Sequence, residues 1–228
     1  VGSEMCIRDR TKRTTMKNIL IATPSYDGRI DVWYANSLLN TVRYGIASEV
    51  NFAPVYMSYD ALIQRSRNDL IAIAMQNDFD GIMWIDSDIE WDPQWVLELV
   101  NSGKDVIGGT YPKKSIEEQY TVKCKPEDLV VDDEGLIKVE SLGTGFLYMS
   151  KDAVKYLWDS SEKYVHNGEE KRWVFEVKVQ DGDIISEDVL ACQKLREGGF
   201  DVYLDPKMTC AHIGPLKFTG NFEQFMMA

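Results

Sequence analysis

The amino-acid sequence predicts an α/β fold in which a mostly parallel central sheet is flanked by helices. In the first half of the chain, short apolar runs alternate with segments that carry apolar residues at helical spacing, which is the pattern of β-α-β units. The apolar runs are continuous, as in strands that are buried on both faces. The second half instead predicts a small region of antiparallel strands around the Asp-Asp-Glu-Gly turn at residues 132–135.

The elements of the first half follow one another in strict alternation. Asp92 suits the N-cap of a helix and Pro93 its first position, so a helix is expected to begin there. Together these segments predict a parallel sheet with helices on both faces. The predicted strands are residues 18–23, 50–57, 81–85 and 105–109, and the predicted helices are residues 31–44, 61–76 and the one beginning at Asp92.

The second half contains shorter elements. Residues 160–171 are polar and predict a mobile surface loop. A helix is expected to follow Ser186 and to end near Glu197, where Gly198 and Gly199 stop it. The remaining predicted elements are strands at residues 120–125, 129–131, 136–139, 146–149, 200–204 and 208–212 and a helix at residues 151–158.

Composition limits the classes of function. The 228 residues suffice for one sizeable core, and the net charge of −12 argues against general nucleic-acid binding. No apolar run approaches the about 18–20 residues of a membrane span. The four cysteines lack CxxC spacing, which argues against a zinc knuckle and favours a reducing, cytoplasmic location.

Residues 1–15 do not resemble the rest of the chain. They are polar and basic, show no periodicity and lack the apolar core of a signal peptide. Residues 5–10 resemble translated sequencing-adapter sequence at the end of a gene model. We therefore expect a non-native or disordered leader at residues 1–15 and a single domain at residues 16–228 that naturally starts at Met16.

The most informative motif is Asp86-Ser87-Asp88, which directly follows the apolar run at residues 81–85. Ligands of open α/β sheets bind at the carboxyl ends of strands. Residues i and i+2 of an extended chain point to the same side, and two such carboxylates repel by roughly 2–3 kcal/mol at an effective dielectric of about 20. We therefore expect a hard divalent cation such as Mg²⁺ or Mn²⁺ here, together with a phosphate.

Four other segments have both a structural and a functional interpretation. Pro24-Ser25-Tyr26-Asp27 is a strand-to-helix turn, where a nucleotide often lies in doubly wound sheets. Arg65-Ser66-Arg67-Asn68 is either a solvated basic face or a contact to a base or phosphate. Glu187-Asp188 either complements the helix dipole or supplies a general base. His212 is either a turn residue or a metal ligand through neutral imidazole.

Taken in order, these segments resemble a GT-A glycosyltransferase of the inverting, family-two type, over about residues 17–214. Pro24 to Asp27 resembles the P-[ST]-Y-N turn, and Arg65 to Asn68 resembles the A-R-N segment that faces the nucleotide. Asp86-Ser87-Asp88 resembles the DxD motif, and Glu187-Asp188 resembles the E-D pair. The W-I-D-S-D and Y-P-K-K segments also resemble those of bacteriophage glycosyltransferases.

The resemblance implies a role for each matching residue. Asp188 would be the base, next to Glu187, and the cofactor would be Mn²⁺ or Mg²⁺ held by Asp86, Asp88 and His212. Lys217 is a possible phosphate contact. The implied nucleotide-binding residues are Thr23, Pro24, Ser25, Tyr26, Asp60, Arg65, Asn68 and Asp86, and the implied acceptor-side residues are Gly143, Thr144 and Gly145.

Two departures from the family pattern leave details open. Asp60 is only the nearest match to the nucleotide-binding aspartate expected after the second strand. Residues 212–217 also resemble the H-x-x-G-x-x-K segment of some retaining enzymes, with the glycine one place early. The P-[ST]-Y-N, A-R-N and E-D resemblances favour inverting chemistry, and the segment at residues 212–217 leaves retaining chemistry open.

The resemblance implies transfer of a sugar from a nucleotide-diphosphate-sugar donor to a hydroxyl of a glycan, lipid, protein or modified nucleotide. One alternative is a haloacid-dehalogenase-like phosphatase, which also has a D-x-D strand end. That family has Thr or Val two places after the second Asp, where this chain has Glu90, and its motif usually closes the first strand. Another alternative is a non-catalytic nucleotide-sugar-binding module of the same fold.

Overall fold

The computed structural model describes residues 16–125 and 129–227, so the predicted leader lies outside the described residues. The helices of the described part are α1 (Val32–Ala47), α2 (Ile63–Gln76), α3 (Pro93–Asn101), α4 (Lys151–Ser160), α5 (Glu187–Glu197) and α6 (Phe222–Met227). Its strands are β1 (Lys17–Ser25), β2 (Val50–Ser58), β3 (Gly81–Ile85), β4 (Ile89–Glu90), β5 (Val106–Thr110), β6 (Val122–Lys123), β7 (Ile137–Val139), β8 (Ser141–Leu142), β9 (Phe146–Ser150), β10 (Lys163–His166), β11 (Glu169–Arg172), β12 (Lys178–Gln180), β13 (Asp183–Ile185), β14 (Val202–Thr209), β15 (Ala211–Ile213) and β16 (Lys217–Phe218).

A seven-stranded sheet with the order β2-β1-β3-β9-β5-β14-β7 forms the centre of the fold. Strands β2, β1, β3, β5 and β14 run in one direction, and β9 and β7 run in the other. This confirms the predicted fold class, an α/β fold with a mostly parallel sheet flanked by helices and with small antiparallel sheets. The prediction that the strands of the first half form an uninterrupted parallel sheet is wrong in one respect. Strand β9, from the second half, lies antiparallel between β3 and β5.

The core lies on both faces of this sheet. Successive residues of β1 alternate between two buried clusters, with Ile19 and Ile21 on one face and Leu20 and Ala22 on the other. Helices α1 and α3 cover the first face, and α2, α4 and α5 cover the second. Burial on both faces explains why the strand sequences are continuously apolar.

The predicted surface loop at residues 160–171 is instead part of a hairpin formed by β10 and β11. Asn167 and Gly168 at its tip have φ angles of 53° and 82°, the left-handed conformation that a two-residue hairpin turn requires. The Asn-Gly pair is a strong hairpin signal that the polar composition of the segment obscured. Asp181 and Gly182, with φ angles of 53° and 91°, form the corresponding turn between β12 and β13.

Other predicted elements differ in their extent. Residues 129–131 form no strand, and Val131 makes only an isolated bridge to Ile137. The two strands expected at residues 200–204 and 208–212 are one irregular strand, β14, followed by the short β15. The expected cap of α3 is confirmed, because the Asp92 carboxylate accepts from the Gln94 backbone N–H at 3.0 Å. Within the described residues, no helix is long and apolar enough to cross a membrane.

Candidate active site

The candidate site lies at the edge of the sheet where β1, β3 and β5 end. Asp86 follows β3 directly, and the chain then turns into β4. Strand β4 pairs antiparallel with β15, which sets Ile89 opposite His212. This pairing joins the acidic segment to a histidine that is distant in sequence, and no local pattern encodes it.

The carboxylates of Asp86 and Asp88 contact different cationic side chains. Asp86 Oδ1 lies 3.1 Å from Arg67 Nη2, whereas Asp88 Oδ2 lies 2.5 Å from Lys114 Nζ. The backbone N–H of Ile89 donates to the Asp86 carbonyl at 3.1 Å, so residues 86–89 form a turn. The prediction that Asp86 and Asp88 lie in an extended segment and point to the same side is therefore wrong. The two carboxylates contact separate partners.

Arg67 is the buried cation at the centre of the site, with only 4% of its surface exposed. Its guanidinium also donates to the Thr144 hydroxyl, and its Nε lies 3.8 Å from Glu187 Oε1. Among the described residues, this Nε has no hydrogen-bond partner. Burial alone would lower the pKa of Arg67, but Asp86 and Glu187 raise that pKa above its usual value. Arg67 therefore stays charged and neutralises both acids.

Arg67 was not among the predicted site residues, although its segment was singled out. A signal existed, because Arg67 lies three and four residues before Leu70 and Ile71, on the apolar face of α2. A charged residue on such a face is buried and needs partners. The predicted nucleotide contact Arg65 lies in the first turn of α2, is partly exposed, and pairs with Asp60 at 2.6 Å.

Burial raises the pKa of Asp86 above its usual value. The positive charge of Arg67 opposes this rise, and the negative charge of Asp88 adds to it. Burial also raises the pKa of Glu187, again against the charge of Arg67. For Asp88 the balance is reversed: burial alone would raise its pKa, but His212 and Lys114 hold that pKa below its usual value. The second acid of the motif is therefore the more firmly ionised of the two.

His212 is oriented by a backbone carbonyl. Its Nδ1 lies 2.9 Å from Pro112 O, and its ring packs edge-on against Tyr111 at a centroid distance of 5.1 Å. Because a carbonyl can only accept, Nδ1 carries the hydrogen, and Nε2 is directed toward Asp88 Oδ2 at 3.6 Å. A carbonyl that fixes the tautomer in this way is typical of metal-binding histidines.

The donor set fits a divalent ion that the protein shares with a ligand. Asp88 Oδ2 and His212 Nε2 face each other across 3.6 Å. A carboxylate oxygen is a donor that Mn²⁺ and Mg²⁺ prefer, whereas an imidazole nitrogen is preferred by softer divalent ions. Within the described residues, no group of three or more His, Cys, Asp or Glu side chains is placed to hold an ion. Asp86, the third predicted ligand, is instead paired with Arg67.

The glycine-containing segment after β8 supports the acidic strand end. The Gly145 carbonyl accepts from Asp86 N at 3.1 Å, and Gly145 N donates to the Tyr111 hydroxyl at 3.0 Å. A Cβ at Gly145 would lie 2.4 Å from that hydroxyl and 2.9 Å from Asp86 Oδ2, so only glycine permits this approach. Thr144, predicted on the acceptor side, is 1% exposed and is bonded to Arg67.

Glu187 and Asp188 begin α5 and point in different directions. Glu187 faces inward to Arg67. Asp188 Oδ1 accepts from the Ser186 hydroxyl and, at 2.8 Å, from Val189 N. Asp188 lines an open groove of about 220 Å³ together with Tyr120, Thr121 and Gly143. Of the two acids, Asp188 therefore has access to a ligand in the groove.

The predicted nucleotide residues lie mostly at the ends of β1 and β2, which pair in parallel. Asp60 accepts two contacts of 2.6 Å from Arg65 and caps the turn by accepting from Leu62 N at 2.9 Å. Pro24 is buried within β1, and Tyr26 is 74% exposed at its end. This edge is open enough for a ligand at Tyr26.

Several predicted contacts are instead satisfied inside the protein. The Thr23 hydroxyl bonds to the Tyr34 hydroxyl at 2.6 Å, and that of Ser25 donates to Arg29 O at 2.6 Å. Asn68 is fully buried; its amide donates to Phe175 O at 3.0 Å and accepts from Phe175 N at 2.8 Å. Both ends of the Asn68 amide hold the backbone of Phe175, so the predicted contact of Asn68 with a nucleotide would require these bonds to open.

Lys217 also has a partner within the protein. Its ammonium pairs with Glu90 and lies 4.3 Å from the centroid of the Trp33 ring. The predicted contact of Lys217 with a phosphate would require this pair to open.

Comparison with known proteins places the chain by its fold. No family model and no curated protein matches it. The chain is similar to A197 from STIV, at a TM-score of 0.56 and 16% identity over 90% of this chain and 95% of that one. It is also similar, at a TM-score of 0.46 and 9% identity over 90% of this chain and 45% of that one, to GalNAc-T7 with UDP, GalNAc and Mn²⁺. A glycosyltransferase involved in glycosylation of the major capsid of PBCV-1 aligns at a TM-score of 0.35 and 11% identity, over 61% of this chain and 62% of that one. At these identities the similarity to A197 concerns the fold alone, and the two lower scores add nothing to it.

Proposed function

We propose that this chain is a metal-dependent glycosyltransferase that moves a sugar from a nucleoside-diphosphate sugar to an acceptor hydroxyl, with inversion favoured. The observation that supports this most is the convergence of Asp88 and His212 at the carboxyl edge of the sheet, 3.6 Å apart. Asp188, on the neighbouring groove, is near enough for its charge to contribute to the raised pKa of Asp86. A pair of side chains that could hold an ion and a carboxylate that lines a groove therefore lie near one edge of the sheet.

In this proposal Asp88 and His212 would hold Mn²⁺ or Mg²⁺. When bound, the ion acts as a Lewis acid that stabilises the charge of the leaving diphosphate. Arg67 keeps Asp86 in a fixed position, from which its carboxylate can accept from the ribose. The exposed Tyr26 and the Asp60–Arg65 pair mark the side on which the nucleoside would lie.

Asp188 is the proposed general base. The Ser186 hydroxyl and the Val189 N–H both bind its Oδ1, which leaves Oδ2 to take the proton of an acceptor hydroxyl in the groove. Glu187 stays with Arg67 and positions the start of α5. The proposal names no acceptor class among glycan, lipid, protein and modified nucleotide. It includes a cytoplasmic location.

The Arg67–Asp86 pair disfavours the phosphatase alternative. That chemistry needs the first acid of the motif as a nucleophile, and an oxygen bound to a guanidinium is a weaker one. A binding module of the same fold would bind a donor but would not turn it over. An assay of product release therefore distinguishes a phosphatase and a binding module from a transferase.

Calorimetry with a panel of nucleoside diphosphates, with and without Mn²⁺, tests the proposal. We expect one nucleotide to bind in a Mn²⁺-dependent way and Asp88→Ala to lose that dependence. Asp78→Ala is the control, because Asp78 is exposed in the turn between α2 and β3, at the end of β3 that is far from Asp88. Unchanged Mn²⁺-dependent binding in Asp88→Ala would refute the metal role.

Turnover separates the three functions. A transferase releases the nucleoside diphosphate from its donor sugar, slowly to water and faster with an acceptor. Phosphate release from p-nitrophenyl phosphate would support the phosphatase, and donor binding with no release under any condition would support the binding module.

A further inference from the structure

We propose that Lys114 is a further functional residue of this site, a counter-ion that is shared between Asp88 and the diphosphate of the donor. In the free protein its ammonium neutralises Asp88. When a divalent ion binds Asp88 and His212, the ammonium moves to the diphosphate. This inference rests on the proposed function and gives a role to Lys114, the last residue of the Y-P-K-K segment, to which the sequence resemblance assigned none.

The first observation is the position of the ammonium. Lys114 Nζ lies 2.5 Å from Asp88 Oδ2, the oxygen that also faces His212 Nε2 at 3.6 Å. A divalent ion between the acid and the imidazole would need this same oxygen. The side chains of Lys114 and Asp88 are 34% and 37% exposed, so the pair is accessible to a ligand.

The second observation is the path of the Lys114 side chain. Its Cδ and Cε would lie 3.1 Å and 3.4 Å from a Cβ placed on Gly214. The aliphatic stem therefore crosses the backbone just after β15, where a side chain would crowd it. Gly214 follows His212 by two residues, so one short segment supplies both the imidazole and the space for the lysine.

Together, the two observations imply that binding of the ion and binding of the diphosphate are coupled. The protein offers two donors to the ion, and one of them is already paired, so an ion that binds alone must leave the Lys114 ammonium without its partner. A diphosphate provides a new anionic partner within reach. Ion and diphosphate should then each raise the affinity for the other, by the same factor.

The test uses Lys114→Met in the full chain, with Lys113→Met as a matched control. Lys113 is the adjacent residue, and its ammonium lies 3.5 Å from Gln119 Oε1 rather than beside Asp88. Both variants remove one positive charge. Binding of Mn²⁺ alone is measured from the loss of the electron-paramagnetic-resonance signal of the free ion. Binding of inorganic pyrophosphate in the presence of Mn²⁺ is measured by calorimetry.

For Lys114→Met we expect binding of Mn²⁺ alone to tighten by about threefold or more, because no ammonium competes, and pyrophosphate binding to weaken by about tenfold. Lys113→Met should change each affinity by less than about twofold, as expected for an exposed charge. The opposite signs are the decisive result, since a merely structural role would weaken both.

A Lys114→Met variant in which both affinities fall together, or in which neither changes, would overturn the inference while leaving the proposed function intact. If the native chain binds no pyrophosphate with Mn²⁺, the proposed function fails and this inference fails with it. Urea unfolding of both variants shows whether either change comes from lost stability.

Discussion

Arg67 Nη2 lies 3.1 Å from Asp86 Oδ1, so a buried guanidinium neutralises the first acid of the Asp-x-Asp segment. The same guanidinium contacts Thr144, before β9, and faces Glu187, at the start of α5. Arg67 thus connects α2 with three other parts of the site. The arrangement leaves Asp88 as the acid of the segment that is open to an ion.

Arg67→Met should strongly destabilise the protein. It leaves Asp86 and Glu187 without their cation, and breaking a buried ion pair from one side costs about 3–5 kcal/mol. Urea denaturation followed by tryptophan fluorescence measures the change. Arg65→Met, at a more exposed position in the first turn of the same helix, should give a much smaller change, and equal losses in the two variants would contradict the central position of Arg67.

Gly145→Ala should destabilise the protein by about 1–3 kcal/mol, the typical cost of forcing extra atoms into a packed site. The new Cβ would lie 2.4 Å from the Tyr111 hydroxyl. Tyr111→Phe removes that oxygen, so the double variant should lose less stability than the sum of the two single variants. Additive losses would show that the hydroxyl is not the obstacle.

Asp188→Asn should leave nucleotide binding intact and reduce sugar transfer by about 10²–10⁴-fold, the usual contribution of a general base. An amide keeps the shape of the side chain but cannot take the proton. Calorimetry and a transfer assay measure the two effects separately. Asp183→Asn, an exposed acid on β13, serves as the control. Full transfer activity in Asp188→Asn would refute Asp188 as the base.

The Asp60–Arg65 pair should make stability depend on pH at the acid end. The hydrogen bonds from Arg65 hold the pKa of Asp60 below its usual value. For an acid whose folded-state pKa is lowered, the stabilisation is present above the unfolded-state pKa of about 3.9 and is lost as the pH falls through the folded-state value. Asp60→Asn should therefore lower the melting temperature at pH 7 and lower it progressively less below pH 4. A constant difference across this range would contradict the assignment.

The alternation of strands and helices, the caps and the acidic strand end could be predicted because they depend on neighbouring residues. Asp92 caps α3 by contacting a residue two positions away, and the continuous apolar run of β3 follows from burial on both faces. The hairpin turn at Asn167 and Gly168 was equally local, and the polar composition around it concealed the signal.

The sequence by itself therefore determined the fold class and the edge of the sheet at which the candidate site residues lie, because periodicity and strand ends are local properties. Only the tertiary structure decided which partner each site residue has. Asp86 pairs with Arg67, Asp88 with Lys114 and His212, and Asn68 with the backbone of Phe175. These partners are distant in the sequence, and their pairing depends on burial and on the order of the strands. The insertion of β9 and the pairing of β4 with β15 set that order through long-range backbone hydrogen bonds, which no local pattern in the sequence specifies.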